Sequence, residues 1–340
     1  MSLVVVDADV LGRRRTGDET YVRNLLRALP APAAAAGLRV AAVTRNPDLV
    51  PEGVERLRLG TSSQELRMAW SLPRLLRRAG AALVHTQYAV PLRAPCPAVV
   101  TIHDLSFEDD ALIGRRDGIV FRRVVPRAAR AAARVLTVSE RTRRDLVRRY
   151  GLAPGHVVVT PNGVDPVFAP GAGDAEPGTP YVLAVGAIQP RKNQRAALAA
   201  ARAAGLDRVV GGPTKDEAVA RELRDGGARL EGYVSDERLA ALYRGAACLV
   251  QASRHEGFGL PVVEAMASGT PVVTVPDEAL LEVAGDAAVV VPEDGLADGI
   301  RTALADRARL VAAGLERVRA FSWEATAEAT VRVYVEALGR

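Results

Sequence analysis

Residues 253–273 of this chain read SRHEGFGLPVVEAMASGTPVV, in which two glutamates eight residues apart enclose a pair of glycines. An apolar run that ends at Gln251 precedes the segment and has the length of a buried strand. Pro261 suits the first turn of a helix, where its missing N–H costs nothing. The segment therefore predicts a strand–turn–helix unit of a parallel α/β sheet.

The turn of this unit has the composition of an anion site. Gly257 and Gly259 would let the backbone approach a ligand closely, and the N–H groups of residues 258–262 would add the positive end of the helix dipole. Glu264, about one turn into the helix, would bind both hydroxyls of a ribose, as acidic residues do in other dinucleotide folds. Glu256, ahead of the helix, would lie beside a sugar. The glycine pair alone fits a turn capped by a glutamate equally well.

Short β-branched runs alternate with amphipathic helical patterns along the chain, which predicts βαβ units in two doubly wound parallel sheets. The strands expected in the first half are Leu3–Val6, Arg39–Thr44, Ala82–His85, Ala98–His103, Val135–Val138 and Val157–Thr160. Those expected in the second half are Tyr181–Val185, Arg208–Val210, Arg229–Glu231, Ala247–Gln251, Pro271–Val275 and Ala288–Val291. Such sheets bind ligands at the carboxyl ends of their strands, so two linked sheets would enclose a cleft.

A Pro- and Gly-rich stretch, Pro166–Pro180, interrupts the alternation and is predicted to be a linker. It separates a first domain of residues 1–168 from a second domain of residues 178–321. Residues 322–340 are predicted to form a last helix.

A second candidate binding segment is GAIQPRKN at residues 186–193, directly after the strand Tyr181–Val185. Arg191 and Lys192 stand at the start of a predicted helix, where the helix dipole disfavours cations, so their position indicates a bound anion. A leaving diphosphate needs such charge when no metal ion supplies it. A solvated basic pair is the alternative.

Two further candidate binding residues lie at the end of a predicted strand or after it. His103 ends the strand Ala98–His103, where an imidazole could hydrogen-bond a sugar hydroxyl or a phosphate oxygen, although a histidine satisfied within the fold is the commoner case. Gly17 lies in RRRTGDETY, residues 13–21, which is similar to a phosphate-approaching loop but lacks the GxGxxG spacing. GGPTK at residues 211–215 lacks the spacing of a P-loop.

The chain carries 45 basic and 40 acidic residues, and between Arg115 and Arg149 twelve arginines stand against three acids. Such a patch suits anionic lipid headgroups or a phosphate-bearing acceptor, although an arginine-rich codon bias would also produce it. Nucleic acid is not expected as a partner, because no stacking aromatics or reading motif accompany the charge. Cys96 and Cys248 are far apart and predict neither a zinc site nor a disulfide framework.

The first residues enter a predicted strand at once, without a basic leader or a cleavage site. No apolar run reaches the ~20 residues of a membrane span. We therefore expect a cytoplasmic protein, at most peripheral at the inner face of the membrane.

Together these segments resemble glycosyltransferase family 4, the retaining enzymes of the GT-B fold, over nearly the whole chain. The first segment is similar to the E-x7-E signature of that family. The other similar segments are GAIQPRKN (186–193), TIHD (101–104), SE (139–140) and PNGVD (161–165). The resemblance implies two facing Rossmann-like domains, the first for the acceptor and the second for a nucleotide sugar, with the last helix returning to the first domain.

The resemblance also assigns roles to residues. Glu256 and His103 would contact the donor sugar, Arg191 and Lys192 its diphosphate, and Glu264 the ribose. The further donor-binding residues that it implies are Gly17, in a loop closing over the phosphates, Gly186, Phe258, Gly259 and Leu260. It implies neither a metal ion nor a cofactor besides the donor.

Two positions depart from the family pattern. Ala187 stands where many members carry Arg, and the run Pro-Arg-Lys-Asn that ends at Asn193 is similar to a subgroup rich in mannosyltransferases. Gly17 is followed by Asp-Glu where members often have Ile-Gly. This difference falls in the part of the chain to which the resemblance assigns loop closure and the acceptor side.

The implied reaction moves a hexose, first of all mannose from GDP-mannose, to an acceptor hydroxyl in cell-surface polysaccharide or glycolipid synthesis. The acceptor would be lipid-linked or a glycan. A sugar-nucleotide epimerase on the same fold is an alternative, as is a two-lobed sugar-binding protein without activity. A phosphorylase would need a lysine for pyridoxal phosphate, and only Lys215 is spare. Asp7-Ala-Asp9 resembles a metal-binding D-x-D but follows the very first strand.

Overall fold

The structure of the protein is a computed structural model that describes residues 1–13, 16–109, 112, 115–171 and 180–340. The chain divides into two compact units, one of Met1–Gly163 with Trp323–Arg340 and one of Val164–Ser322. This division falls a few residues before the expected end of the first domain at residue 168. Residues 172–179, the middle of the expected linker, lie outside the described residues.

The first unit is a parallel sheet with helices around it. Its described strands are β1 (Ser2–Asp7), β2 (Leu38–Thr44), β3 (Glu55–Arg58), β4 (Ala81–Gln87), β5 (Ala98–Thr101), β6 (Arg134–Thr137) and β7 (Val157–Val159). They lie in the order β3-β2-β1-β4-β5-β6-β7 and pair in parallel. The sequence did not predict β3, because this edge strand reads Glu-Arg-Leu-Arg and is largely exposed.

The described helices of Met1–Gly163 are α1 (Thr16–Ala28), α2 (Pro30–Ala35), α3 (Gln64–Leu66), α4 (Leu72–Ala79), α5 (Arg115–Ala131) and α6 (Glu140–Tyr150). Local signals set their ends. The hydroxyl oxygen of Ser139 accepts the N–H of Thr142 at 3.2 Å at the start of α6, and Gly151 ends that helix in the left-handed conformation. α1 carries Asp18 and Glu19 in its first turn, where the helix dipole favours acids.

The second unit repeats the architecture. Its described strands are β8 (Tyr181–Val185), β9 (Asp207–Gly211), β10 (Arg229–Gly232), β11 (Cys248–Gln251), β12 (Val272–Thr274) and β13 (Val289–Val290), in the parallel order β10-β9-β8-β11-β12-β13. Its described helices are α7 (Gln194–Ala203), α8 (Glu217–Asp225), α9 (Asp236–Gly245), α10 (Leu260–Ala267), α11 (Glu278–Ala284), α12 (Leu296–Ala305) and α13 (Arg307–Arg317). Ser235 is the N-cap of α9, and its hydroxyl accepts the N–H of Arg238 at 3.3 Å. The two doubly wound sheets predicted from the alternation are therefore present.

The last helix, α14 (Trp323–Ala337), packs in the first unit against α1 and α2, as the resemblance implied. The hydroxyl of Thr326 donates to the carbonyl of Pro161 at 2.6 Å. The buried Tyr334 hydroxyl lies 2.6 Å from Nδ1 of His85 in β4. No helix among the described residues has the length and apolar character needed to cross a bilayer.

Burial makes His85 a source of acid sensitivity. It lowers the pKa of His85 to about 3, and the neighbouring His103 lowers it further in the same direction. The unfolded chain therefore binds the extra proton first as the pH falls. The contribution of His85 to stability is complete above the usual histidine pKa of about 6.5 and is lost progressively down to about pH 3.

We expect His85 alone to lower the free energy of unfolding by up to about 1.4 kcal/mol per pH unit below pH 6. Urea titrations at pH 7 and pH 5 measure this slope. His85→Gln keeps hydrogen-bonding groups but does not titrate, so its slope should be smaller. Equal slopes in the two proteins would contradict the assignment.

Candidate functional site

The loop between β8 and α7 brings Arg191 and Lys192 to the carboxyl end of an interior strand. A single 3-10 turn, Pro190–Lys192, ends at Asn193, whose φ of 50° places it in the left-handed region at the start of α7. The stem of Lys192 lies over Gly186, where an added Cβ would come 3.3 Å from Cε of the lysine. Gly186 therefore leaves room for the lysine side chain.

The loop after β9 approaches this segment at Gly212. The φ of Gly212 is 140°, and an added Cβ would lie 2.2 Å from the carbonyl oxygen of Gly186. Real Cβ atoms do not come so close to backbone, so only glycine fits there. The contact holds the backbone below Lys192 in place, and an additional bridge pairs Ile188 with Thr214.

Glu256 is the centre of a buried hydrogen-bond cluster. Its Oε1 accepts from Nζ of Lys192 at 2.6 Å and from Nε2 of Gln251 at 2.8 Å. The same Gln251 nitrogen donates to the hydroxyl of Ser253 at 2.9 Å. The sequence places Gln251 at the end of β11, so the polar end of a buried strand meets the loop that follows β8.

Arg191 connects the loop after β8 with the loop after β11. Its Nη1 donates to the carbonyl of His255 at 2.6 Å and lies 3.7 Å from Oε2 of Glu256. The N–H of Arg254 in turn donates to the carbonyl of Arg191 at 3.0 Å. Both the guanidinium and the backbone carbonyl of Arg191 therefore bond the loop after β11, and only 12% of the arginine side chain is exposed.

The cluster carries a net positive charge. Burial by itself would raise the pKa of Glu256, but the charges of Lys192 and Arg191, with hydrogen bonds from Lys192 and Ser253, lower it to about 2. Glu256 is therefore ionised at neutral pH. Two cations against one carboxylate leave one unit of positive charge at the carboxyl ends of β8 and β11, which suits an anionic ligand.

The turn after Glu256 leads into α10 as predicted. Gly259 has a φ of 103° and precedes Leu260, the first residue of the helix, and Pro261 lies in its first turn. An added Cβ at Gly259 would come 2.7 Å from a methyl carbon of Leu280 in α11. Phe258 is buried and packs edge to face with Phe321, with centroids 5.6 Å apart.

Glu264 lies inside α10 and is nearly buried. Its Oε2 accepts the hydroxyl of Tyr243 at 2.9 Å, and the hydroxyl of Thr270 donates to the carbonyl of Tyr243 at 2.6 Å. Burial, followed by the charge of Glu264 and this hydrogen bond, raises the pKa of Tyr243 well above its usual value. A neutral Tyr243 therefore orients the carboxylate of Glu264.

His103 belongs to the first unit and is described there by itself. The predicted strand was too long, because β5 ends at Thr101 and His103 lies in the segment after it. The ring packs edge to face against Tyr21, with centroids 4.7 Å apart, and tilted against Tyr88 at 5.7 Å. Among the described residues its Nε2 has no hydrogen-bond partner. Burial lowers the pKa of His103, outweighing the opposite effects of Asp18 and Asp104.

The expected loop position of Gly17 is wrong. Gly17 lies in the first turn of α1 and is exposed, and residues 14 and 15 before it lie outside the described residues. Of the other predicted residues, the structure brings Arg191, Lys192 and Glu256 into direct contact, with Gly186 below the lysine. Glu264 accepts the hydroxyl of Tyr243.

Sequence reasoning missed Gln251, Ser253 and Tyr243. Gln251 offered a signal of the kind used for His103, since it is a polar residue at the end of an apolar strand. Tyr243 offered none, because it occupies a helix interior.

The early D-x-D motif is tied to arginines. Asp7 accepts from Arg67, and Oδ1 of Asp9 accepts from Nε of Arg45 at 2.8 Å. Within the described ranges no group of three or more His, Cys, Asp or Glu side chains could hold a metal ion.

Two family models match the chain. The description Glycosyltransferase Family 4 matches residues 15–168, and Glycosyl transferases group 1 matches residues 171–317. The chain is 30% identical over 265 residues to the O-antigen chain mannosyltransferase B of Escherichia coli, covering 70% of each protein. It is 33% identical over 237 residues to the MMP alpha-(1->4)-mannosyltransferase of Mycolicibacterium hassiacum, covering 63% of this chain and 56% of that protein.

Solved structures share the fold. Sucrose-phosphate synthase from Thermosynechococcus elongatus superposes with a TM-score of 0.80 at 22% identity over 99% of both chains. HepE from Anabaena in complex with UDP-glucose superposes with a TM-score of 0.69 at 15% identity over 99% of both chains. Two parallel Rossmann-like sheets and family models over both halves agree with the Escherichia coli relative: the chain belongs to glycosyltransferase family 4 and is a glycosyltransferase of the GT-B fold.

Proposed function

We propose that this glycosyltransferase moves a hexose from a nucleoside-diphosphate sugar to an acceptor hydroxyl and retains the anomeric configuration. The observation that carries the proposal is the cationic cluster in which Glu256 holds Lys192 beside Arg191 at the carboxyl ends of β8 and β11. Fixed positive charge in a largely buried place stabilises an anion that develops during a reaction, because no reorganisation is needed when the anion appears.

The step that this cluster serves is departure of the diphosphate. The bond from the anomeric carbon to the diphosphate breaks, and a bond to the acceptor oxygen forms on the same face of the sugar. The acceptor proton passes to an oxygen of the departing diphosphate. Lys192 and Arg191 neutralise the charge on that leaving group. Glu256 is ionised near neutral pH and so cannot donate a proton; it holds Lys192 and offers oxygens to a sugar hydroxyl.

The remaining proposed contacts follow from the local geometry. Glu264, oriented by Tyr243, would accept the ribose hydroxyls. Phe258, Gly259 and Leu260 would present the start of α10 to the donor. His103 is held neutral by burial, and its Nε2, which has no hydrogen-bond partner among the described residues, would hydrogen-bond a sugar hydroxyl.

Mannose from GDP-mannose is the proposed donor. Its supports are the run Pro190–Asn193, similar to a mannosyltransferase subgroup, and two relatives named as mannosyltransferases. The UDP-glucose bound to HepE supports a nucleotide sugar as the class of donor. The O-antigen relative supports an acceptor in cell-surface polysaccharide or glycolipid synthesis.

The test begins with a thermal-shift screen of GDP-, UDP-, dTDP- and ADP-sugars, followed by NMR of the product formed on a simple mannoside acceptor. We expect GDP-mannose to give the largest shift, an axial product linkage from the axial donor, and unchanged activity in EDTA. A larger shift with another donor would reject mannose from GDP-mannose. Interconversion of the donor without acceptor would indicate an epimerase, and binding of free sugar without nucleotide would indicate a binding protein.

We also propose a peripheral contact with anionic membrane through the arginine-rich region 115–149. Four large apolar side chains of α5 are exposed within six residues: Ile119, Val120, Phe121 and Val124, between 38% and 60%. Arg122 and Arg123 lie between them on the same helix, and Arg127 follows three residues after Val124. An amphipathic helix with basic and apolar residues binds an anionic bilayer surface through both.

Sedimentation with vesicles of phosphatidylglycerol and phosphatidylcholine tests this contact. We expect binding to these vesicles, little binding to pure phosphatidylcholine, and a severalfold loss of binding in Val120→Ser/Phe121→Ser. Val290→Ser, at an equally apolar exposed position of the second unit, is the matched control. Binding that ignores lipid charge, or equal binding of all variants, would reject the contact.

A further inference from the structure

We infer that Tyr21 is a positioning residue for His103, and that the C-terminal helix α14 fixes Tyr21 through a chain of buried hydrogen bonds. The inference rests on the proposed contact of His103 with the donor sugar. It assigns a part in the reaction to Tyr334, which lies near the end of the chain and is remote in sequence from the signature segments.

The ring of Tyr21 stands between His103 and α14. Its edge-to-face contact with His103 has a centroid distance of 4.7 Å and an interplanar angle of 80°. Trp323, the first residue of α14, packs against the same ring at 6.1 Å and 65°. Tyr21 is wholly buried, so its ring cannot move without displacing one of these neighbours.

The hydroxyl of Tyr21 begins a chain of hydrogen bonds that ends on α14. It lies 3.0 Å from Oγ1 of Thr101, the last residue of β5. The same Oγ1 lies 2.7 Å from Nε2 of His85, and Nδ1 of His85 lies 2.6 Å from the hydroxyl of Tyr334. Thr101 is also two residues before His103, so the hydrogen-bond chain includes a residue of the same backbone segment as His103.

Each member of the chain is neutral. Burial holds the pKa of His85 far below neutrality and the pKa values of Tyr21 and Tyr334 above their usual range. A neutral imidazole donates from one nitrogen and accepts at the other, so His85 donates to one of its two hydroxyl partners, Thr101 or Tyr334, and accepts from the other. The chain therefore fixes geometry and carries no charge.

The consequence concerns Nε2 of His103, for which the described part of the protein offers no hydrogen-bond partner. Its direction depends on the packing of the imidazole against Tyr21 at 4.7 Å and Tyr88 at 5.7 Å, because the described residues provide no hydrogen bond to this nitrogen that would orient it. Displacing a group by about 1 Å in a reaction geometry can cost about 100-fold in rate. Loss of the Tyr334 hydroxyl leaves Nδ1 of His85 buried without its partner. The hydrogen-bonded residues His85, Thr101 and Tyr21 can then shift, because the bond that ties them to α14 is missing.

The experiment compares Tyr334→Phe with Thr330→Val in the full chain. Thr330 is a matched control, because it is also buried on α14 and its hydroxyl donates only within the helix, to the carbonyl of Thr326 at 2.7 Å. Both variants lose one buried hydroxyl and should lose similar stability. We expect Tyr334→Phe to lower kcat about tenfold or more while the KM for the donor changes little. Thr330→Val should keep kcat. Equal kcat in the two variants would overturn the inference.

A second readout does not depend on activity. The protein has only four histidines, so the ring resonances of His103 can be assigned by long-range 1H–15N NMR. The four histidines are His85, His103, His156 and His255. We expect Tyr334→Phe and Thr101→Val to shift the His103 resonances, and Thr330→Val to leave them in place. Unshifted His103 resonances in Tyr334→Phe would reject the coupling.

His103→Ala separates the two levels of the argument. If it retains full activity, the proposed role of His103 fails, whereas the NMR result still decides whether α14 positions the ring. If it loses activity while Tyr334→Phe behaves like Thr330→Val in both readouts, the role of His103 stands and the positioning chain fails.

Discussion

Lys192→Ala is expected to lower kcat by about 100-fold to 1,000-fold, the cost typical of removing one group that stabilises an anionic leaving group or intermediate. The ammonium group lies 2.6 Å from Glu256 at the carboxyl end of the sheet, where it would meet the departing diphosphate. Without Lys192 the cluster holds one cation and one carboxylate, so its net positive charge disappears. Initial rates at saturating donor, with thermal unfolding as a check of folding, measure the effect.

Lys215→Ala is the matched control, because Lys215 is the other lysine of the chain and is exposed after β9. It should leave kcat unchanged. Lys192→Arg keeps the charge but not the geometry and should fall between the two. If the kcat of Lys192→Ala stayed within about threefold of the parent value, the assigned role of Lys192 would be wrong, because a group that stabilises a leaving anion contributes far more to the rate.

Gly212→Ala is expected to destabilise the second unit by about 3 kcal/mol or more, through a disfavoured φ and a steric overlap that act together. The backbone has a φ of 140°, and the new Cβ would lie 2.2 Å from the carbonyl oxygen of Gly186 and 2.6 Å from its carbonyl carbon. Neither atom can move away, because both belong to the main chain that leads from β8. Urea unfolding followed by circular dichroism measures the loss.

The control for this substitution is Gly205→Ala. Gly205 also has a positive φ, 74°, but an added Cβ there meets nothing within 4 Å. We expect about 1 kcal/mol from the conformation alone. Similar losses in the two variants would mean that the close approach to Gly186 contributes nothing.

The sequence predicted the fold well because the buried elements carry their own signals. The interior strands are short apolar runs, and the turn into α10 combines Gly259 with Pro261. The sequence did not predict elements whose pattern of apolar and polar residues is not determined by burial. β3 is charged and exposed at the sheet edge, and α11, which begins after the N-cap Asp277, was not expected.

The candidate site was predicted as a set of residues but not as a set of contacts. Sequence spacing indicated Arg191, Lys192 and Glu256. It could not show that the arginine bonds the carbonyl of His255, because that contact joins loops 64 residues apart. The chain from Tyr21 to Tyr334 spans still longer separations and has no local signature. Residue types at strand ends are local information, whereas partners depend on how the strands are ordered.

A crystal structure with GDP-mannose or its unreactive analogue tests the central claim most directly. The account predicts the pyrophosphate within about 3 Å of Nζ of Lys192, close to the guanidinium of Arg191 and against the turn that follows Glu256. Placement of the pyrophosphate away from all three, or its neutralisation by a bound divalent ion alone, would contradict it.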